Sequence, residues 1–190
     1  MSDLTPFDAI AGNLALDFVN TVAYRGDPAK CRDKLAGLSD LQRWLATFGL
    51  PASDLEEGDL EAARAIRERL YDLFQPSAHR RSVDPTALLG FERDLQQAMR
   101  ERKLQLQDEH VVWGWSADAG ALHRSLFAVL EKAAELLVSN DLRQVRECQG
   151  PGCGWLFVDR SRGRPRRWCS MRDCGNKAKA RRHYHRRAGT

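Results

Sequence analysis

Apolar residues recur at helical spacing through the first 140 positions. Segment 13–24 carries Leu14, Leu16, Phe18, Val19 and Val22, which predicts a helix over most of its length. Segment 39–48 opens at Ser39 or Asp40, buries Leu41, Trp44, Leu45 and Phe48, and stops near Gly49 and Pro51. In segment 58–74, Leu60, Ala63, Ile66, Leu70, Leu73 and Phe74 fall on one stripe. Asp84-Pro85 reads as an N-cap followed by proline at the first helical position, with Leu88, Leu89, Leu95 and Met99 downstream. The period then changes from helical to alternating. Lys103–Gln107 alternates polar and apolar, Asp108-Glu109-His110 can turn, and Val111–Trp115 returns, so 103–115 is expected to be a β-hairpin. A long helix follows from about Asp118, with Leu122, Leu126, Val129, Leu130, Ala133, Leu136 and Leu137 on one side and Asn140-Asp141 at its end. The stretch 78–84, with Arg80, Arg81 and Ser82, is the expected loop within this region.

Near 140–147 the pattern breaks, and a second unit begins. Arg143–Glu147 is expected to lead, as a short strand, into a cysteine pair. Cys148 and Cys153 enclose four residues, Cys169 and Cys174 enclose four more, and fifteen residues separate the pairs. Gln149-Gly150-Pro151-Gly152 is rich in turn formers, which brings the first two sulfurs together. Two such pairs fit a closed, tetrahedral structural zinc site with Cys148, Cys153, Cys169 and Cys174 as ligands. A unit this small buries little core, and a metal makes up the deficit. Trp155, Phe157 and Trp168 are expected to cluster beside it, with Trp155–Val158 as a strand. Cys31 stands alone as an ordinary thiol. The expected fold is therefore mainly α with a β-hairpin in an N-terminal domain (1–140), followed by a small α+β zinc finger at the C-terminus (141–190).

Charge sharpens this division. The net charge is only +4, yet residues 141–190 hold 14 Lys or Arg against 4 Asp or Glu, while residues 1–140 hold 16 against 22. Such asymmetry suggests a polyanionic partner for the basic part. Arg160, Arg162, Arg164, Arg166 and Arg167 precede the second cysteine pair; Lys177, Lys179, Arg181, Arg182, Arg186 and Arg187 follow it on a helix that is polar nearly all round. The guanidinium fork suits phosphate. The expected partner is nucleic acid, double-stranded DNA first, with the basic helix in the major groove and the arginine-rich loop on the backbone. RNA recognition, or an adaptor whose basic tail holds an acidic protein, are the alternatives. The sequence opens Met-Ser-Asp-Leu-Thr-Pro with neither basic n-region nor apolar h-region, and no apolar run reaches the ~18–20 residues that span a bilayer, so a cytoplasmic location with no membrane partner is expected. A reducing compartment favours metal over disulfides for paired cysteines.

The stretch Cys148–Arg187 resembles the CGNR zinc finger. Its hallmark tetrapeptide is here Cys174-Gly175-Asn176-Lys177, with lysine in place of the family's arginine. Cys153-Gly154-Trp155-Leu156-Phe157-Val158-Asp159 and Arg166-Arg167-Trp168-Cys169-Ser170-Met171 extend the match, and Arg160-Ser161-Arg162 departs slightly from an expected Thr-Ser-Arg. Leu14-Ala15-Leu16-Asp17-Phe18-Val19-Asn20-Thr21, with Leu35 and Trp44, resembles the ABATE domain that accompanies this finger. The resemblance implies a bacterial, stress-related transcription regulator.

Within the first unit, Asp17, Asn20 and Thr21 are polar positions in an apolar helix. They are candidates for lining a small-molecule pocket in a sensor domain, or for a buried hydrogen-bond network with Arg25 as a further member. Trp113 and Trp115 share one side of their strand and are expected to pack in the core, or else to line a pocket or a homodimer contact. His79, His110 and His123 are isolated. No phosphate loop, nucleophile constellation or cofactor motif occurs, so an enzyme is not expected.

Overall fold

The computed structural model describes residues 7–188, and the side chains of residues 7–184. Helix α1 (Leu14–Val19) is capped by Asn13, whose Oδ1 accepts from the Ala15 N–H at 2.9 Å. It is half the expected length. The chain leaves it at Asn20 and forms a short antiparallel ladder that the apolar pattern did not announce, β1 (Val22–Ala23) with β2 (Arg32–Asp33). Val22 is buried, as a helix would have required, but it is buried by a strand. Helix α2 (Leu38–Thr47) buries Leu41, Trp44 and Leu45, and the Trp44 ring stacks between Phe18 and Phe48.

Helix α3 (Glu57–Ala78) is the spine of the molecule, and its whole expected stripe is buried. It runs four residues past that stripe because Pro76 falls in the last turn, where only one intrahelical bond is lost. Helix α4 (Pro85–Arg100) starts at Asp84, whose Oδ1 caps Thr86 at 2.7 Å. Of the expected apolar set on α4, Leu88, Leu89 and Met99 are exposed; Phe91 and Ala98 are the residues it buries. Strands β3 (Arg102–Gln107) and β4 (His110–Trp115) make the expected hairpin, turning on Asp108 and Glu109, both in the left-handed region. Helix α5 (Ala121–Val138) starts three residues later than expected and packs on α1, α3 and α4.

The hairpin corrects one expectation. The register pairs Leu104 with Trp113 and Leu106 with Val111, so all four share a face. That face is open: Trp113 is 63% exposed and Leu106 76%. Trp115 alone turns toward the helices, edge-on to Phe127 at 5.5 Å, with Arg102 over both rings. No strand residue of the hairpin is buried, and it meets the helices through Trp115 and through the contact of β3 with α4.

After a 3-10 turn (Asn140–Gln144), strands β5 (Val145–Glu147) and β6 (Leu156–Val158) pair antiparallel around the first cysteine turn. A π-turn (Met171–Gly175) leads into α6 (Asn176–Ala188). Mainly helical architecture with small two-stranded sheets is what the pattern foretold. Among the described residues the two units do not have separate cores. A single apolar cluster runs from Phe7 through α1, α3 and α5 to Val145, Leu156, Phe157, Val158 and three of the paired cysteines.

Candidate metal centre and basic surface

The four sulfurs of Cys148, Cys153, Cys169 and Cys174 lie within 4.8 Å of one another. Cys153 and Cys169 Sγ are 3.8 Å apart, Cys169 and Cys174 Sγ 3.7 Å. A tetrahedral zinc with ~2.3 Å Zn–S bonds requires sulfur separations of about 3.8 Å, so these edges fit the ion. Cys148, Cys153 and Cys169 are buried and Cys174 is half-buried. The N–H groups of Gly150 and Cys169 point at Cys148 Sγ, at 3.3 and 3.2 Å. Such donors stabilise thiolate and orient the ligand. As thiols the set is in conflict. Hydrogen bonds with Cys153, then Cys169 and Cys174, pull Cys148 far down, while the contact with Cys148 is the main one that pushes Cys153 and Cys169 far up. A divalent cation resolves the conflict by taking all four as thiolates. The donor set and its spacing make this a site for one structural Zn2+.

Glycine is required where the first cysteine turn is tightest. A Cβ on Gly150 would lie 2.7 Å from Cys174 Sγ, inside the cage. Gly152, at φ 68°, lets the turn press on the first unit: a Cβ there would meet Asp27 at 2.6 Å, and Gly152 O accepts from the Gly26 N–H at 3.1 Å.

Of the polar residues singled out in and just after α1, Asn20 secures this contact directly. Asn20 Nδ2 donates to Leu156 O at 2.8 Å, and the Leu156 N–H donates to Asn20 Oδ1 at 2.9 Å. The side-chain amide thus acts as one more strand residue on the edge of β6 opposite β5. The Val158 N–H donates to Ala11 O at 2.8 Å on the same edge. Asp17 Oδ1 in turn accepts from the Ile10 and Ala11 N–H groups, at 3.0 and 2.9 Å. Burial pushes the Asp17 carboxyl up to about 6, against the pull of those two N–H groups and of Arg166. Thr21 Oγ1 donates to Phe18 O and accepts from Arg67, whose fork grips Asp33 with two 2.7 Å bonds. Glu68 joins Arg67 to Arg25, which also reaches Val19 O and lies over the Tyr71 ring, so Thr21 and Arg25 share one network. The Trp155 indole N–H donates to Val22 O at 2.8 Å.

The basic residues divide in two. Arg166 lies over Phe157 and donates to the carbonyls of Trp168, Ile10 and Cys169; it ties the second cysteine pair to the N-terminal segment. Arg160 bonds Asp141 and Gly12 O, and Arg167 bonds Gln149 and covers Trp168. Lys177 donates to the Tyr24 hydroxyl at 2.8 Å, which holds its ammonium above the ordinary range. By contrast the side chains of Arg162, Arg164, Lys179, Arg181 and Arg182 are exposed and have no hydrogen-bond or ion-pair partner among the described residues. The side chains of Arg186 and Arg187 lie outside the described residues. Asp33, Arg67, Gly26 and Tyr24 were not foreseen; Gly26 is the nearest to a legible signal, as one of a Tyr-Arg-Gly-Asp turn sequence.

A helical unit with a tetrathiolate finger joined to its core defines a zinc-finger protein of two parts. Comparison with family models agrees: residues 144–187 match the CGNR zinc finger, and residues 12–140 match ABATE, described as "Putative stress-induced transcription regulator". The chain belongs to the ABATE family and carries a CGNR zinc finger. No curated protein matches it. Among the described residues no helix is long and apolar enough to cross a membrane.

Proposed function

We propose that the chain is a cytoplasmic, DNA-binding transcription regulator in which zinc holds the basic helix α6 for contact with duplex phosphates. The observation that carries this reading is the row of unpartnered cations, Arg162, Arg164, Lys179, Arg181 and Arg182. The sequence of α6 contains no acidic residue, and its apolar residues are three alanines and Tyr184, so neither internal ion pairs nor extensive burial would hold it. Its N-terminal end follows directly from the ligand Cys174. Four protein sulfurs leave the ion no open position, so its role is structural and the protein acts by binding rather than by catalysis.

In the first unit, the hydrogen bonds of Asp17, Asn20 and Thr21 favour a structural use over a ligand pocket. The open face of Leu104, Leu106, Val111 and Trp113 favours oligomerisation, with a second copy bringing a second finger.

The test is duplex binding by zinc-loaded protein across a salt series. Contact with about five phosphates gives a log K against log salt slope near −4 to −5. Arg181→Ala with Arg182→Ala is expected to make the slope shallower by about two, with zinc content and Tm unchanged. A flat slope in the parent protein, or equal binding by the double variant, contradicts the reading. Stronger binding to structured RNA in direct competition would select RNA as the target.

A further inference from the structure

Arg80 and Arg81 lie in the loop after α3 and take no part in the zinc site. The helix ends there in a Schellman arrangement. The Arg81 N–H donates to Pro76 O at 2.9 Å and the Arg80 N–H to Ser77 O at 3.0 Å. Arg80 occupies the left-handed position of that motif, φ 57°, where glycine is favoured because a Cβ crowds the backbone. Across from it, the 3-10 turn contributes Arg143 and β5 contributes Arg146. With Ser77 and Ser82, these four arginines line a groove of about 550 Å³ that has no carboxylate in its lining.

The charges in this groove are not neutralised locally. Among the described residues, Arg80 and Arg143 have no hydrogen-bond or ion-pair partner for their guanidinium groups. Among the described residues the Arg81 guanidinium bonds only the neutral Gln75 Oε1, at 2.8 Å. Arg146 contributes to the field that lowers Asp159 but forms no ion pair with it among the described residues. The negative end of α3 accounts for cations at Arg80 and Arg81. It does not account for two more on a separate segment facing the same space. Converging guanidinium forks with hydroxyls beside them match tetrahedral oxyanions, and the volume suits a small ligand.

We propose that this groove is a second phosphate-binding site, on the helical unit, which takes an oligophosphate group. The source is a free phosphorylated ligand or the backbone of the bound nucleic acid, and the two are separable. The site stands independently of the role of α6, because its first test involves no nucleic acid. Inorganic tripolyphosphate is titrated by calorimetry into zinc-loaded, full-length protein at low salt. The variants are Arg80→Gly, which relieves the left-handed position and therefore folds at least as well, and Arg143→Gln with Arg146→Gln. Each is expected to bind the probe about tenfold or more weakly, with Tm unchanged or raised for Arg80→Gly. Lys103→Gln, an exposed cation on the hairpin outside both sites, serves as the control that keeps parent affinity for the probe. Short duplex DNA is the second arm. Unchanged duplex affinity in the groove variants assigns a free oligophosphate; weaker duplex binding, with a salt slope shallower by about one per lost arginine, assigns the backbone. Parent affinity for both probes in both groove variants overturns the site.

Discussion

Strand β6 and helix α6 belong to the same finger, yet the rest of the chain treats them in opposite ways. Leu156, Phe157 and Val158 are almost inaccessible, and both edges of β6 are hydrogen bonded, one to β5 and the other to Asn20 and Ala11. Lys179 through Tyr184 are exposed. The half that is buried uses apolar side chains, glycines and one amide; the half that is open uses arginine and lysine. The metal lies where the two meet, with Cys148 and Cys153 on the buried side and Cys174 at the start of the open helix. A small finger of this kind need not be stable alone, because its apolar side is already part of a larger core.

The comparison breaks most forcefully at the metal. Cys169→Ser removes a buried ligand of the cage. Structural zinc contributes about 10 kcal/mol or more to isolated fingers, so even partial loss here is expected to lower Tm by about 15 °C. Because the core is shared, the loss should appear as one shifted transition across the whole chain, together with reduced metal content. Two transitions, with the helical unit melting at its parent temperature, would separate the halves.

Asn20→Ala probes the edge of β6 without touching the metal. It leaves the Leu156 N–H and C=O buried and unpartnered, which costs about 3 kcal/mol, or roughly 10 °C in Tm. Urea unfolding checks it, and a change within error would mean that water or a shift of β6 replaces the amide.

A smaller, pH-dependent effect comes from Asp17. Its carboxyl titrates near 6 in the fold against an ordinary value of 3.8, so the native state holds this proton more tightly than the unfolded chain does. That contribution is present below pH ~4 and is lost as pH rises through ~6, amounting to at most about 3 kcal/mol. Asp17→Asn keeps an acceptor for Ile10 and Ala11 without the charge. Its stability relative to the parent should therefore increase between pH 4 and 7, and parallel stability curves would contradict the buried-acid assignment. Zinc release at low pH affects both proteins alike and cancels in the difference.

Local signals carried much of this architecture. The two cysteine pairs, the Asp84-Pro85 helix start, the stripe of α3 and the alternation of the hairpin each act within a few residues, and each is where the pattern placed it. What was not legible depends on distant partners. The apolar run of α1 continues past Asn20, but the helix stops there because the amide is engaged by Leu156, 136 residues away. Asp17, Asn20 and Thr21 stood out as polar intruders, and nothing local distinguished a pocket lining from a clamp on the finger. Arg166 looked like its neighbours Arg162 and Arg164; only the carbonyls converging on it set it apart.

The most direct measurement follows amide hydrogen exchange in the zinc-loaded chain before and after chelation. If the finger base and the helical unit form one body pinned by the ion, protection falls together in β6, α1 and α5, and by a similar free energy. If chelation exposes only residues 148–187 and leaves α1 and α5 as protected as before, the ion stabilises the finger alone and the shared-core account is wrong.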